Sequence, residues 1–380
     1  MRASSRGKEA AQPSAGNTQL SLFDNSVIEH VAANVNALCL NPPTEIKRHI
    51  METARRTYSQ NWREYTLSQQ NEKAKFLELL YALCDTIDEP PQHMGRPRTP
   101  LADRIFSSVF KVYSTVSGRR FTSDLREAKQ RGLVSTMPDY TSVSRFLESE
   151  ELTPVLKQLI IESSLPLKSV ESDFAVDSSG FATGQFLRWF DAKYGSEMKQ
   201  HEWIKVHLMC GVKTNIVTSV EISGAHANDT TFLKPLLETT TRNGFQVKEL
   251  SADKGYDSFK NRCLVLVKGG IPYIPFREGE KNKPNPSGKG ELWKRMYHFY
   301  KFNEAEFKQH YHKRSNVETV FHMIKAKFGE RLRSKTKTAQ INELLCKVLC
   351  HNLCCVVHSI YELGLEPTFA SESTVDANVF

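Results

Sequence analysis

Residues 173–181 read DFAVDSSGF, and this stretch decides the fold class. Phe174, Ala175 and Val176 make a short β-rich run that passes through Asp177 into Ser178, Ser179 and Gly180, the pattern of a strand giving way to small residues. Two similar runs follow, EWIKVHLMCGV at 202–212 and NIVTSVEIS at 215–223, each short and bounded by Gly or Asn. Further out the pattern changes. DTTFLKPLLETT (229–240) predicts a helix, FQVKELSADKGYDS (245–258) a strand running into a glycine turn, residues 259–268 a helix, and IPYIPF (271–276) another strand. Three strands and then helix and strand in alternation predict an α/β domain with a mixed sheet. A basic Gly/Pro-rich loop, REGEKNKPNPSGKG at 277–290, separates this unit from more helix, and no internal repeat is visible.

Downstream, YHKRSNVETVFHMIKAKFG (311–329) reads as one amphipathic helix. At about 100° per residue, Tyr311, Arg314, Glu318 and Lys325 crowd into a sector roughly 60° wide. Val317, Val320, Phe321, Ile324 and Phe328 fill the adjoining sector, the stripe such a helix buries. A carboxylate flanked by two cations and a phenol at the rim of a buried face suits a metal ion and a phosphate backbone. The plain alternative is a solvated face with i,i+4 support between Arg314 and Glu318.

Phosphodiester chemistry with two divalent cations requires carboxylates converging from different elements. Asp177 is expected to end the first strand, Asp253 to end a later one, and Glu318 supplies a third acid from the helix. Asp173 shares strand parity with Asp177 but begins the strand and lacks small residues after it. Asp257 is expected to cap the helix starting near Ser258, and Asp229 to cap a helix start rather than to join His226 near the site.

The spacing Y-(2)-R-(3)-E-(6)-K from Tyr311 to Lys325, together with AVDSSG and ADKGYDS, resembles the signature of DDE transposases of bacterial insertion sequences. The resemblance covers about 171–355. It implies a ribonuclease-H-like catalytic domain in which Asp177, Asp253 and Glu318 hold two Mg²⁺ or Mn²⁺ ions. It also implies an enzyme that cuts double-stranded DNA at the element's ends and joins the freed 3′ hydroxyls to target DNA. Arg314, Lys325 and Tyr311 would grip phosphates. Apart from the resemblance, Lys254 and the basic loop from Arg277 to Lys289 are candidates for tracking DNA, a solvated loop being the equal alternative. Coordinated joining of two ends favours a homodimer. Two rival readings stay open: a host nuclease of the same fold that cuts without joining, and a DNA-binding regulator whose catalytic domain is only a scaffold.

Upstream the chain divides by composition. Residues 1–44 form a polar arm containing QLSLF, whose Gln19, Leu20, Leu22 and Phe23 resemble the peptide that docks bacterial replication and repair proteins on the polymerase sliding clamp; a staple onto the first helix is the alternative. A clamp-bound replication accessory protein would rest on these residues alone. Residues 45–94 read as a helical region. Residues 95–170 read as a helical, helix-turn-helix-like DNA-binding region. It opens with GRPR (95–98), whose proline content reads first as a linker and in which Arg96 and Arg98 also resemble a minor-groove hook. Further on, Thr141 is expected as N-cap of a recognition helix carrying Ser142, Ser144 and Arg145 early on it. The catalytic domain is expected over 171–360 and a tail over 361–380.

The chain of 380 residues, 39% hydrophobic, can bury a sizeable core across two or three domains. Its 51 Lys plus Arg against 43 Asp plus Glu leave a formal charge of +8, which favours a polyanionic partner. The polar start has no apolar core of a secretory signal, so a reducing bacterial cytoplasm, in association with the nucleoid, is the expected home for the eight cysteines. LLCKVLCHNLCCVVHSI (344–360) is expected to be a core helix, too short and polar to span a membrane. Its Cys346, Cys350, Cys354 and Cys355 with His351 read as buried hydrophobes rather than zinc ligands.

Overall fold

The computed structural model describes residues 61–91, 95, 97–183, 203–277 and 290–369. The QLSLF segment, Arg96, and most of the basic loop lie outside the described residues. The chain begins with helices α1 (Trp62–Cys84), α2 (Leu101–Ser114), α3 (Gly118–Gln130), α4 (Tyr140–Phe146) and α5 (Leu152–Ser164). Strands β1 (Asp173–Ala182), β2 (Trp203–Gly211) and β3 (Val217–Gly224) follow, then α6 (Leu233–Arg242), β4 (Glu249–Ala252), α7 (Phe259–Val267) and β5 (Ile271–Tyr273). Helices α8 (Gly290–Phe302), α9 (Glu304–Tyr311), α10 (Ser315–Phe328) and α11 (Lys337–Leu363) complete it.

The five strands form one mixed sheet in the order β3-β2-β1-β4-β5. β1–β2 and β2–β3 are antiparallel, and β4 and β5 run parallel to β1. The expected α/β class with a mixed sheet is what is observed. Alternation along β1 assigns its two faces. Ala175 and Phe181 join Val206, Leu208 and Cys210 in the cluster that α10 and α11 cover. Phe174 and Val176 join Met209 in a second cluster under α6 and α7. Asp177 lies opposite Leu208 and so belongs to the α10 face.

The apolar stripe of α10 is buried as its spacing predicts: Val317, Val320, Phe321, Ile324 and Phe328 are all enclosed. Gly329, with φ 86°, ends the helix in a conformation that L side chains resist. The expectation of a single helix over 311–329 is corrected. Tyr311 ends α9, and His312–Arg314 form a 3₁₀ turn before α10 begins. In a 3₁₀ turn residues i and i+3 eclipse, which sets the Arg314 guanidinium 5.8 Å from the centre of the Tyr311 ring.

α11 is longer than its apolar segment suggested. Its 27 residues would suffice to cross a membrane by length and composition, so length does not exclude a span; 78% of its most apolar window, however, is buried inside the fold, as in a core helix. Cys346 and Cys350 are enclosed among leucines there, and burial pushes their thiols up. The apolar cluster around α11 takes residues from α1, α2 and α5 as well as from β1, β2 and α10. The N-terminal helices and the sheet therefore share one core.

Candidate active site

Asp177 sits in the interior of β1 rather than at its end, because the ladder to β2 continues through Ala182↔Trp203. Its Oδ1 accepts from the Ser178 N–H at 2.8 Å, and its Oδ2 accepts from Arg314 Nη1 at 2.7 Å. Arg314 Nη2 lies 2.6 Å from Glu318 Oε1, one helical turn along. One guanidinium thus bridges an acid on the central strand to an acid on α10. Asp253 stands immediately after β4, as expected, and caps the following 3₁₀ turn through Lys254 N at 2.7 Å. Burial pushes the Asp177 carboxyl up, against the pull of the Ser178 N–H and Arg314, while the neighbouring charge of Asp253 adds to the rise. Tyr311 is pushed up by burial and feels the charges of Arg314, Asp253 and Asp177. Asp177, Asp253, Glu318, Arg314 and Tyr311 therefore share one locality.

Lys325 lies further along the same face, 5.2 Å from the centre of the Phe181 ring and 3.8 Å from Glu330. Lys254 is exposed on the turn after Asp253. That turn is braced from outside. Arg277 Nε donates to the Lys254 carbonyl at 3.0 Å and Nη2 to the Gly255 carbonyl at 2.7 Å. Asp257 does not cap the next helix; Ser258 does, accepting from Asn261 N. The Asp257 carboxylate is committed instead to the buried Arg262 and to Arg277 N. Arg262 is stacked 3.7 Å from the centre of the Phe276 ring, so the strand-to-helix turn that carries Asp253 is held on both sides.

Two further networks were not anticipated. Lys313 reaches Asp173 at 2.6 Å and Glu249 at 2.7 Å, and His310 Nδ1 lies 2.8 Å from Glu249, which clamps the 3₁₀ segment onto the starts of β1 and β4. Asp173 thus positions the helix and leaves Asp177 to face the site. The second network lies behind β1. Asp229 does not cap a helix; Asn228 caps the short 3₁₀ turn there. Asp229 Oδ1 instead accepts from Lys205 at 2.6 Å and from Ser178 Oγ at 3.0 Å, and lies 3.4 Å from His207 Nδ1. His207 is stacked on Phe232 with ring centres 4.0 Å apart, and burial brings its pKa down to about 4, keeping the ring neutral. His226 is exposed and takes no part. Lys205 and His207, two polar residues at period two in an otherwise apolar strand, were the available signal.

In the upstream region Asp139, not Thr141, caps α4, accepting from Thr141 N at 2.9 Å. α4 is only seven residues long, so Arg145 falls in its last turn rather than early on a recognition helix. Ser142 and Arg145 are exposed and line one cavity with Arg98.

Asp177, Asp253 and Glu318 offer only oxygen donors, the set that hard divalent cations take, so the donor chemistry fits such ions. Among the described residues no three His, Cys, Asp or Glu side chains are already gathered as a metal cluster. The cation that joins Asp177 to Glu318 is Arg314. Residues 168–353 match the family described as the transposase DDE domain. No curated protein and no solved structure matches the chain.

Proposed function

Residues 168–353 belong to the transposase DDE-domain family, and from that premise we propose that the chain is the transposase of an insertion sequence, cutting DNA at the element's ends and joining the freed 3′ hydroxyls to a target. The observation that carries this reading is the Arg314 bridge, which joins an acid on the central strand to one on α10, with Asp253 after β4 near enough for its charge to act on Asp177. The mixed sheet with Asp177 on its middle strand supports the ribonuclease-H-like reading of the domain. Asp177, Asp253 and Glu318 are the residues that would hold two Mg²⁺ or Mn²⁺ ions. Bound there, such ions supply a water of lowered pKa and stabilise the charge on the leaving 3′ oxygen.

The chain's own residues do the rest. Arg314 has to leave at least one of its carboxylates, and its planar fork then suits two oxygens of one phosphate. The Tyr311 hydroxyl, beside Arg314 across the 3₁₀ turn, would donate to the same backbone. Lys325 and Lys254 flank the acids and extend the cationic track. The braced turn at 254–257 keeps Asp253 from drifting as DNA enters. The helices over 95–170, with Arg96, Arg98, Ser142 and Arg145, are assigned to DNA reading, a homodimer to the holding of two ends, and QLSLF to the sliding clamp.

The test is cleavage of a labelled duplex carrying one element end, with Mg²⁺ or Mn²⁺ against chelator, in wild type and Glu318→Gln. The expected result is metal-dependent release of a 3′ hydroxyl in wild type and its loss in the variant, with duplex binding kept. Strand-transfer products on a second duplex separate a transposase from a nuclease that only cuts. Equal loss of binding in Glu318→Gln would remove Glu318 from the metal-holding role.

A further inference from the structure

Three arginines outside the candidate active site line one cavity. Arg98 comes from the segment before α2, Arg104 from the first turns of α2, and Arg145 from the last turn of α4. The cavity has a volume of about 360 Å³. Thr99 and Ser142 add hydroxyls, and among the described residues no acidic one lines it. Phe146 and Val143 form part of its wall, and the Arg104 guanidinium is packed 3.8 Å from the centre of the Phe146 ring.

Such an arrangement has a cost in the absence of a ligand. Burial depresses Arg104, and the neighbouring charge of Arg98 depresses it further, against weaker compensation from Glu151 and Glu89. Neither Arg104 nor Arg145 is salt-bridged to a carboxylate among the described residues. Guanidinium groups held close together over an aromatic floor, with hydroxyl donors beside them, are matched by an oxyanion that accepts several charge-assisted bonds at once. The cavity exceeds a single phosphate, and its apolar wall suits the sugar beside one.

We propose that this cavity seats a backbone phosphate of DNA, so that the Arg98 segment and α4 bind as one contact rather than as a separate hook and recognition helix. The proposal rests on the DNA-acting reading above. α4 is thereby a phosphate-positioning element. Its seven residues, with Arg145 at the C-terminal end, suit holding the duplex in register better than reading base edges.

The experiment is equilibrium binding of the full chain to a fluorescent duplex, in chelator, across a series of salt concentrations. Arg98→Gln and Arg145→Gln are the test variants, since both side chains are exposed. Arg126→Gln, on the exposed face of α3, controls for net charge. Each test variant is expected to weaken binding about tenfold, equivalent to one charge-assisted bond. Each is also expected to lower the slope of log affinity against log salt by about 0.9, with little change in Arg126→Gln. Arg104→Lys, which keeps the charge and loses the fork, should weaken binding with an unchanged slope. Wild-type binding with both test variants indistinguishable from Arg126→Gln would overturn the seat and leave the DNA-acting reading intact. No duplex binding by wild type would overturn both. Inorganic phosphate titrated by calorimetry separates the sources: phosphate binding lost in the variants while duplex affinity stays the same would make this a free-anion site and overturn the proposal.

Discussion

Arg314 occupies the position where two demands meet. Its guanidinium neutralises Asp177 and Glu318 together at 2.7 and 2.6 Å, and those acids are the ones assigned to divalent ions. A cation entering the site therefore competes with a side chain that is already there. The Glu318 end of the bridge is 55% exposed, so solvent screening discounts that half of the pair to the range of a surface ion pair. Arg314→Ala is accordingly expected to raise the affinity for Mn²⁺ about fivefold, equivalent to about 1 kcal/mol, while cleavage falls because the phosphate grip is gone. Mn²⁺ binding followed by electron paramagnetic resonance of the free ion checks the first half independently of activity, and weaker binding in Arg314→Ala would refute the competition. The nearness of Tyr311, Arg314 and Glu318 to one another was legible in the sequence because spacing along a nearly continuous helix survives one 3₁₀ turn. Asp229 was not legible. Its partners Ser178, Lys205 and His207 come from two other strands, and an aspartate amid Asn and Thr has the local chemistry of a cap, which its neighbour Asn228 fulfils.

Elements were legible wherever one face is buried and the other is wet, and illegible where polar groups are buried with distant partners. The stripe of α10 belongs to the first kind, whereas the strands of 173–181, 202–212 and 215–223, whose sheet is covered by apolar clusters on both faces, were legible as short β-rich runs bounded by Gly or Asn. The N-terminal half of α11 belongs to the second: Asn342 donates to the Leu147 and Ser149 carbonyls, and Lys347 to the Gly329 and Arg331 carbonyls, so polar residues there lie in the core. Asn352 shows what such a residue does for a neighbouring element. Its Oδ1 accepts from Val217 N at 2.9 Å and its Nδ2 donates to Val217 O at 2.7 Å. β3 is an edge strand, and this fully buried amide completes the backbone pairing that the sheet leaves open at its start. Nδ2 also donates to Ile160 O at 3.1 Å, which ties the same point to α5. Asn352→Leu, close to isosteric, would leave the Val217 N–H and carbonyl buried without that partner. The expected destabilisation is about 2–4 kcal/mol, seen as a lower denaturant midpoint with an unchanged m-value. A midpoint within error of wild type would mean that water reaches the edge of β3.

At the scale of the whole molecule, the helices before residue 165 are part of the structural support of the catalytic sheet. Glu72 on α1 accepts from Tyr113 on α2 at 2.7 Å and also from Lys327 on α10, so one carboxylate joins the first helix to the helix that carries Glu318. Ser68 on α1 lies 3.2 Å from His358 near the end of α11. Leu345, Cys346, Leu349, Cys350 and Leu353 of α11 belong to the same cluster as Phe76, Leu80, Phe110 and Leu156. This mutual dependence was not visible in composition, which changes at about residue 171 from helical to β-rich text and so invites a boundary there; shared burial is a property of tertiary contacts between segments some 250 residues apart, and no local pattern encodes it. Residues 168–353, the segment that matches the DDE family, would expose the α11 face that α1, α2 and α5 cover, and would lose the last turns of α11 as well. Each large apolar side chain returned to water costs about 1.5–3 kcal/mol, and a handful of them equals the whole stability of an ordinary domain, about 5–15 kcal/mol. The fragment 168–353 is therefore expected to show no cooperative thermal transition and to bind hydrophobic dye. The chain trimmed to 61–369 should unfold in one transition whose calorimetric and van't Hoff enthalpies agree. Differential scanning calorimetry of the two proteins decides the matter: a sharp transition from 168–353 alone would show that the sheet and α10 fold without the upstream helices, and that those helices were added to a self-sufficient domain.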